Sequence, residues 1–176
     1  MPGLAEDAVI NNLTRHSKIR ILGVDPGSLK TGFGVIDFQA GKYSYVTSGI
    51  IRIAAMPLPE RLAVISRGIN QIIEDHAPLV VAVEDVFFAR DPRAALKLGQ
   101  ARGAAITAAV IRDLSVKEYA PRLVKQSLVG TGAANKDQVQ FMVKKLLCLN
   151  GELKEDAADA LAVAICHANH IGRPGN

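Results

Sequence analysis

Tryptophan is absent from this 176-residue chain, and aromatic residues make up only 5% of it. Proteins that hold single strands of nucleic acid do so by stacking bases on exposed rings, so this scarcity argues against such a platform. Cysteine is equally sparse. Cys148 and Cys166 stand outside any CxxC or Cys/His spacing; they read as reduced core thiols rather than a disulfide or zinc site, and a cytoplasmic location follows. No apolar run approaches the ~20 residues of a membrane span. The first residues carry no basic-then-apolar leader, and the chain shows no internal repeat or linker. What remains is globular: 49% hydrophobic against 22% charged residues, at a length that suits one domain burying roughly two-thirds of its unfolded surface. The net charge of +4 permits an acidic polymer as partner without establishing one.

Residues 1–17 show no apolar period and are expected to form a loose arm, 18–172 a single α/β domain, and 173–176 a short tail. Three strands are predicted at 20–25, 32–38 and 43–53, joined by the turn-like Asp25-Pro26-Gly27-Ser28 and Ala40-Gly41-Lys42, and so read as an antiparallel meander. Leu62, Ile65, Ile69, Ile72 and Ile73 recur at helical spacing within 60–76, which Pro78 stops. The continuous apolar run 79–84 reads as a strand buried on both faces. A helix over 92–112 is rich in Ala and Gly, and its small residues suit the domain centre, a dimer seam, or both. A strand at 116–120 and helices at 122–129, 136–148 and 155–170 complete the chain.

Four carboxylates stand out in apolar or small-residue settings. Asp25 ends Ile21-Leu22-Gly23-Val24, Glu84 ends Leu79-Val80-Val81-Ala82-Val83, and Asp156 and Asp159 lie three apart at the start of the last helix. Acids at the ends of buried strands are costly unless something cationic is bound between them. Three or four clustered oxygens are what a hard dication requires, magnesium above all, with manganese as a substitute. Asp156 and Asp159, at i and i+3, share one helix face and can meet Asp25 and Glu84 at one edge of the sheet. Two metals there, about 3.5–4 Å apart, would activate water and stabilise a leaving 3′ oxygen. The pattern points to a metal-dependent phosphodiesterase acting on nucleic acid, although each acid taken singly is equally compatible with a turn or a helix-dipole role. His167, eight residues past Asp159, would lie about 12 Å up the axis, too far to share a metal. It reads with His170 as a packing or surface residue.

Val24-Asp25-Pro26-Gly27-Ser28 with Thr31-Gly32-Phe33-Gly34, then Val83-Glu84-Asp85-Val86-Phe87, Ala95–Gly103 and Asp156-Ala157-Ala158-Asp159-Ala160-Leu161, resemble the RuvC-type Holliday junction resolvases. The resemblance runs from about residue 19 to 170, with the motifs in the family's order. It implies a ribonuclease H-like mixed sheet, three antiparallel strands then parallel ones, flanked by helices. It also implies a homodimer, magnesium-dependent paired nicking of four-way junction DNA in recombination and repair, and a branch-migration helicase complex as partner. Asp25, Glu84, Asp156 and Asp159 fall on the family's catalytic, metal-holding acids.

Arg122, Lys125 and Lys136 flank the loop Gly130–Asn135, where backbone amides and ammonium groups can meet phosphates. A solvated basic face is the plain alternative; by resemblance Lys125 and Lys136 match DNA-contacting lysines. Arg90, Arg93, Lys97 and Arg102 would extend the footprint. Phe87, three residues past Glu84, is suited either to wedge between bases or to pack in a core or dimer seam; resemblance points to the DNA-facing role. Rival readings are an ATP-binding module of the actin and sugar-kinase kind, for which the chain is too short, a junction-binding protein without activity, and a nuclease that cuts RNA in hybrids.

Overall fold

The computed structural model describes residues 17–53, 55–85 and 91–172. The expected arm, except Ser17, and the expected tail lie outside the described residues. The chain runs β1 (Ile19–Pro26), β2 (Lys30–Gln39), β3 (Lys42–Arg52), α1 (Leu58–His76), β4 (Val80–Glu84), α2 (Pro92–Val110), β5 (Ser115–Tyr119), α3 (Pro121–Val129), α4 (Lys136–Leu146) and α5 (Glu155–Gly172). One sheet takes the order β3-β2-β1-β4-β5. β1, β2 and β3 pair antiparallel, whereas β4 joins β1 in parallel and β5 joins β4 in parallel. The meander and the parallel half therefore form as expected, with every boundary within two residues. Among the described residues no helix is long and apolar enough to cross a membrane.

Two cores cover the two faces. Leu22, Val24, Val81 and Val83 pack with Ile65, Ile69 and the buried alanines of α2. Ile21, Ile36, Val80 and Ala82 pack with α3, α4 and α5. The uninterrupted apolar run of β4 is thus a strand buried on both sides, since neighbouring residues serve opposite faces. Some of the small residues of α2 serve contact within the chain, Ala101, Ala105, Ala108 and Ala109 being buried in the first core, whereas Gly99 and Gly103 are exposed with open space at their Cβ positions. The register of β1 on β2 is held by Arg20, opposite Asp37, which donates to it from Nε at 2.7 Å and from Nη2 at 3.0 Å.

The helix that matters most, α5, lies almost on the sheet backbone. A Cβ added to Gly23 would come 2.0 Å from the Ala160 main-chain oxygen, and one on Gly34 2.6 Å from Leu161 Cδ2. Glycine inside a strand often marks such an approach. One expectation fails. Cys148 is exposed, not core, because α4 ends at Leu146 and Cys148 takes a left-handed backbone (φ 53°) that turns it outward; Cys166 is buried, and neither cysteine forms a disulfide.

Candidate active site

β1 and β4 run parallel with Val24 beside Val83, so the residues that follow, Asp25 and Glu84, leave the sheet at one level. Alternation puts both on the α5 face, with Ile21 and Ala82 behind them in the same core. α5 then supplies Asp159. Asp25, Glu84 and Asp159 line one cleft of about 300 Å³ together with Lys125 of α3 and Lys136 of α4.

The carboxyls lie above their ordinary range. Burial is the main cause at Asp25, pushed up to about 6, with the charges of Asp159 and Asp156 adding to it. Glu84 is pushed up to about 8, by burial first and then by Asp25 and Asp159. The two are hydrogen-bonded, and the direction of each effect makes Glu84 the acid that donates and Asp25 the carboxylate that accepts. Asp159 is raised by burial against the opposing pull of Lys136. A buried group of like charges takes up protons unless cations offset it.

Asp156 does not line the cleft. It stands at the rim, where Lys30 Nζ is 3.6 Å from its Oδ2. Lys136 is likewise engaged, donating to Glu155, which holds the ammonium in its charged form and draws the Glu155 carboxyl down. With Asp25 bonded to Glu84 and Asp156 turned to Lys30, no three His, Cys, Asp or Glu side chains among the described residues converge as they stand on one metal position. The donor set is nonetheless all oxygen and mutually repelling, which fits a hard dication; such an ion would replace both the shared proton and the Lys30 ammonium as counter-charge.

The remaining expected residues divide. Arg122, one turn before Lys125, does not line the cleft; its stem lies under Gly132, whose Cβ position is 2.4 Å from Arg122 Cγ. Phe87 and Arg90 lie outside the described residues. Arg93 and Lys97 are exposed on α2. Arg102 is not free for DNA: its Nη2 pairs with Asp85 (3.3 Å) and with Glu118, tying α2 to the ends of β4 and β5. His167 is a packing residue, as expected, buried with its Nδ1 2.7 Å from the Tyr119 hydroxyl.

Lys30, Glu155 and the glycine seam escaped the sequence reading. Gly23, Gly32 and Gly34 in predicted strands were the available signal for a close backbone approach. Lys30 and Glu155 carried none, because charged residues beside turns and helix starts are ordinary.

The model of the family described as crossover junction endodeoxyribonuclease RuvC matches residues 21–167. A crossover junction endodeoxyribonuclease RuvC from Saccharophagus degradans is 56% identical over 150 residues, which cover 85% of this chain and 87% of that protein. Thermus thermophilus RuvC in complex with a Holliday junction substrate superposes with a TM-score of 0.82 at 34% identity, over 88% of this chain and 95% of the other. The yeast mitochondrial Holliday junction resolvase Ydc2 is similar in fold at 15% identity, with a TM-score of 0.66 over 94% of this chain and 84% of that one.

Proposed function

The chain belongs to the RuvC family of crossover junction endodeoxyribonucleases, and from that premise we propose that it resolves four-way DNA junctions by paired, symmetric nicks. The observation that carries the reading is the cleft where Asp25, Glu84 and Asp159 meet Lys125 and Lys136. An anionic floor with cationic walls suits a phosphodiester held to that floor by dications.

Magnesium is the proposed ion, two per site, with manganese as a substitute. Asp25, Glu84, Asp159 and, once turned from Lys30, Asp156 would hold it. Bound there, it supplies Lewis-acid stabilisation of developing negative charge and lowers the pKa of water. The chain's own side chains do the rest. Asp25 and Glu84 would hold the ion as carboxylates, their shared proton released to solvent. Lys125 and Lys136 orient the phosphate and offset its charge, Lys136 exchanging Glu155 for a phosphate oxygen. Hydrolysis leaves 5′-phosphate and 3′-hydroxyl ends that a ligase can seal.

Residues 18–172 act as one unit, and two copies form a homodimer whose two-fold axis matches that of the junction, one cleft to each opposed strand. Arg122 extends the phosphate contacts and Phe87 wedges at the junction centre. The setting is homologous recombination and repair in the cytoplasm, with a branch-migration helicase complex as partner.

The test is cleavage of a synthetic four-way DNA junction with Mg²⁺, beside a linear duplex and an RNA–DNA hybrid. Paired, ligatable nicks in the junction alone establish the reading. Cutting of the hybrid instead would make the protein a ribonuclease on the same fold, and tight junction binding without nicks in any metal would make it a binding module.

A further inference from the structure

Two cations face each other across the β2–β3 ladder at the end of the sheet that carries the acids. Lys30 opens β2, Arg52 closes β3, and the two are cross-strand partners. Like charges directly opposite one another destabilise a ladder, and an anion between them removes the penalty. Both project to the α5 face. Lys30 alternates with Gly32 and Gly34, whose Cβ positions meet α5, and Arg52 lines a groove of about 460 Å³ between β3 and residues 149–157, together with Lys154. Lys30 pairs with Asp156 at 3.6 Å and its charge also reaches the Glu155 carboxylate; the side chains of Arg52 and Lys154 have no ion-pair or hydrogen-bond partner among the described residues.

Their position relative to the cleft follows from the register. Asp25 pairs with Gly32, two residues inside Lys30. At about 3.3 Å per residue the Lys30–Arg52 rung stands about 7 Å beyond Asp25. It lies on the β2–β3 side of Asp25, whereas Lys125 and Lys136 wall the cleft from α3 and α4. The acids thus have Lys125 and Lys136 on the walls made by α3 and α4, and Lys30, Arg52 and Lys154 toward β2 and β3, with Glu155 engaged by Lys136 and within the field of Lys30 where the two groups approach.

We propose that Lys30 and Arg52, with Lys154 at the margin, form a second phosphate-binding wing. It grips the sugar-phosphate backbone of the cut strand on the far side of the scissile phosphate from Lys125 and Lys136. The inference rests on the nuclease reading above and adds to it the path of the strand. A phosphodiester held on one side only is free to swing; held on both sides it is presented in one orientation to the acids. Lys30 has a second part in this. When it moves from Asp156 to a phosphate oxygen, the carboxylate is released toward the cleft.

The experiment is binding of a labelled four-way junction to the full chain over a salt series without divalent metal, so that nothing is cut. Lys30→Ala and Arg52→Ala are each expected to lower the slope of log K against log salt by about one, and to weaken binding roughly tenfold near 0.1 M salt. Arg52→Lys should keep the parent slope, and Lys145→Ala, on the exposed end of α4, should leave binding unchanged. Thermal melting checks that each variant folds. Parent slopes for both alanine variants while Lys125→Ala lowers its own would overturn the wing and leave the nuclease reading intact. A Lys145→Ala effect equal to theirs would also overturn it, by reducing the effect to net charge. A parent chain that does not bind the junction would remove the nuclease reading, and the wing with it.

Discussion

The main-chain oxygen of Asp156 occupies the space that a side chain on Gly32 would need: a Cβ built there lies 2.0 Å from it. Gly32 is also the register partner of Asp25. One backbone contact therefore sets how close the acids of α5 come to the acid of β1.

Gly32→Ala is accordingly expected to push α5 outward, since the clash is with backbone and no rotamer relieves it. Overpacking of this kind costs about 1–3 kcal/mol, read as a lower denaturation midpoint. Junction cutting should fall further than stability accounts for, because Asp156 and Asp159 move with the helix. Gly103→Ala, with open space at its Cβ position, should fold as well as the parent. Equal behaviour of the two variants would remove the seam as the positioning device.

Asp25→Asn keeps the shape of the side chain and removes its charge. Cutting of a four-way junction in Mg²⁺ is expected to fall at least about a hundredfold, the scale seen when even outer-shell partners of a metal are lost. Binding of the same junction should hold near the parent value. Loss of both in a folded variant would move Asp25 from catalysis to structure.

The paired acids give the metal-free protein a pH-dependent stability. Folded Asp25 and Glu84 hold protons up to about 6 and about 8, whereas unfolded carboxyls release them near 4. The folded chain thus binds more protons across that window, so this contribution is present at low pH and is lost as pH rises through 6 and 8. Melting in a chelator should show it, Glu84→Gln should flatten it, and added Mg²⁺ should stabilise more at pH 8 than at pH 6. A melting temperature in chelator that is independent of Glu84→Gln across this range would contradict the shared proton.

His167 acts with the opposite sign. Burial, with Lys117 and His170 adding to it, brings its pKa down to about 4, so the folded chain holds fewer protons than the unfolded one between about 4 and the ordinary histidine value near 6.5. Its contribution is complete above 6.5 and is lost as pH falls toward 4. Nuclear magnetic resonance should find the His167 ring neutral at pH 6, accepting at Nδ1 from the Tyr119 hydroxyl. Tyr119→Phe should cost about 1 kcal/mol, the worth of one buried hydrogen bond. A charged His167 ring at pH 6 would sink both expectations.

Much of this protein is determined by sequence alone, and for a local reason. The apolar run Leu79–Val83, too short for a helix and ended by an acid, reads as a buried strand that delivers a carboxylate to a sheet end. The antiparallel meander follows from its two short turns, and the i, i+3 spacing of Asp156 and Asp159 follows from helical geometry. Those features depend on neighbours in the chain, so they survive being read as a string. Tertiary structure decided the rest. That Asp159 lines the cleft while Asp156 turns to Lys30 depends on a pairing 126 residues apart. That Arg102 serves Asp85 and Glu118 rather than DNA depends on where α2 crosses two strand ends. A lysine or arginine carries the same charge wherever it stands, and only the fold specifies which carboxylate or phosphate comes within its reach.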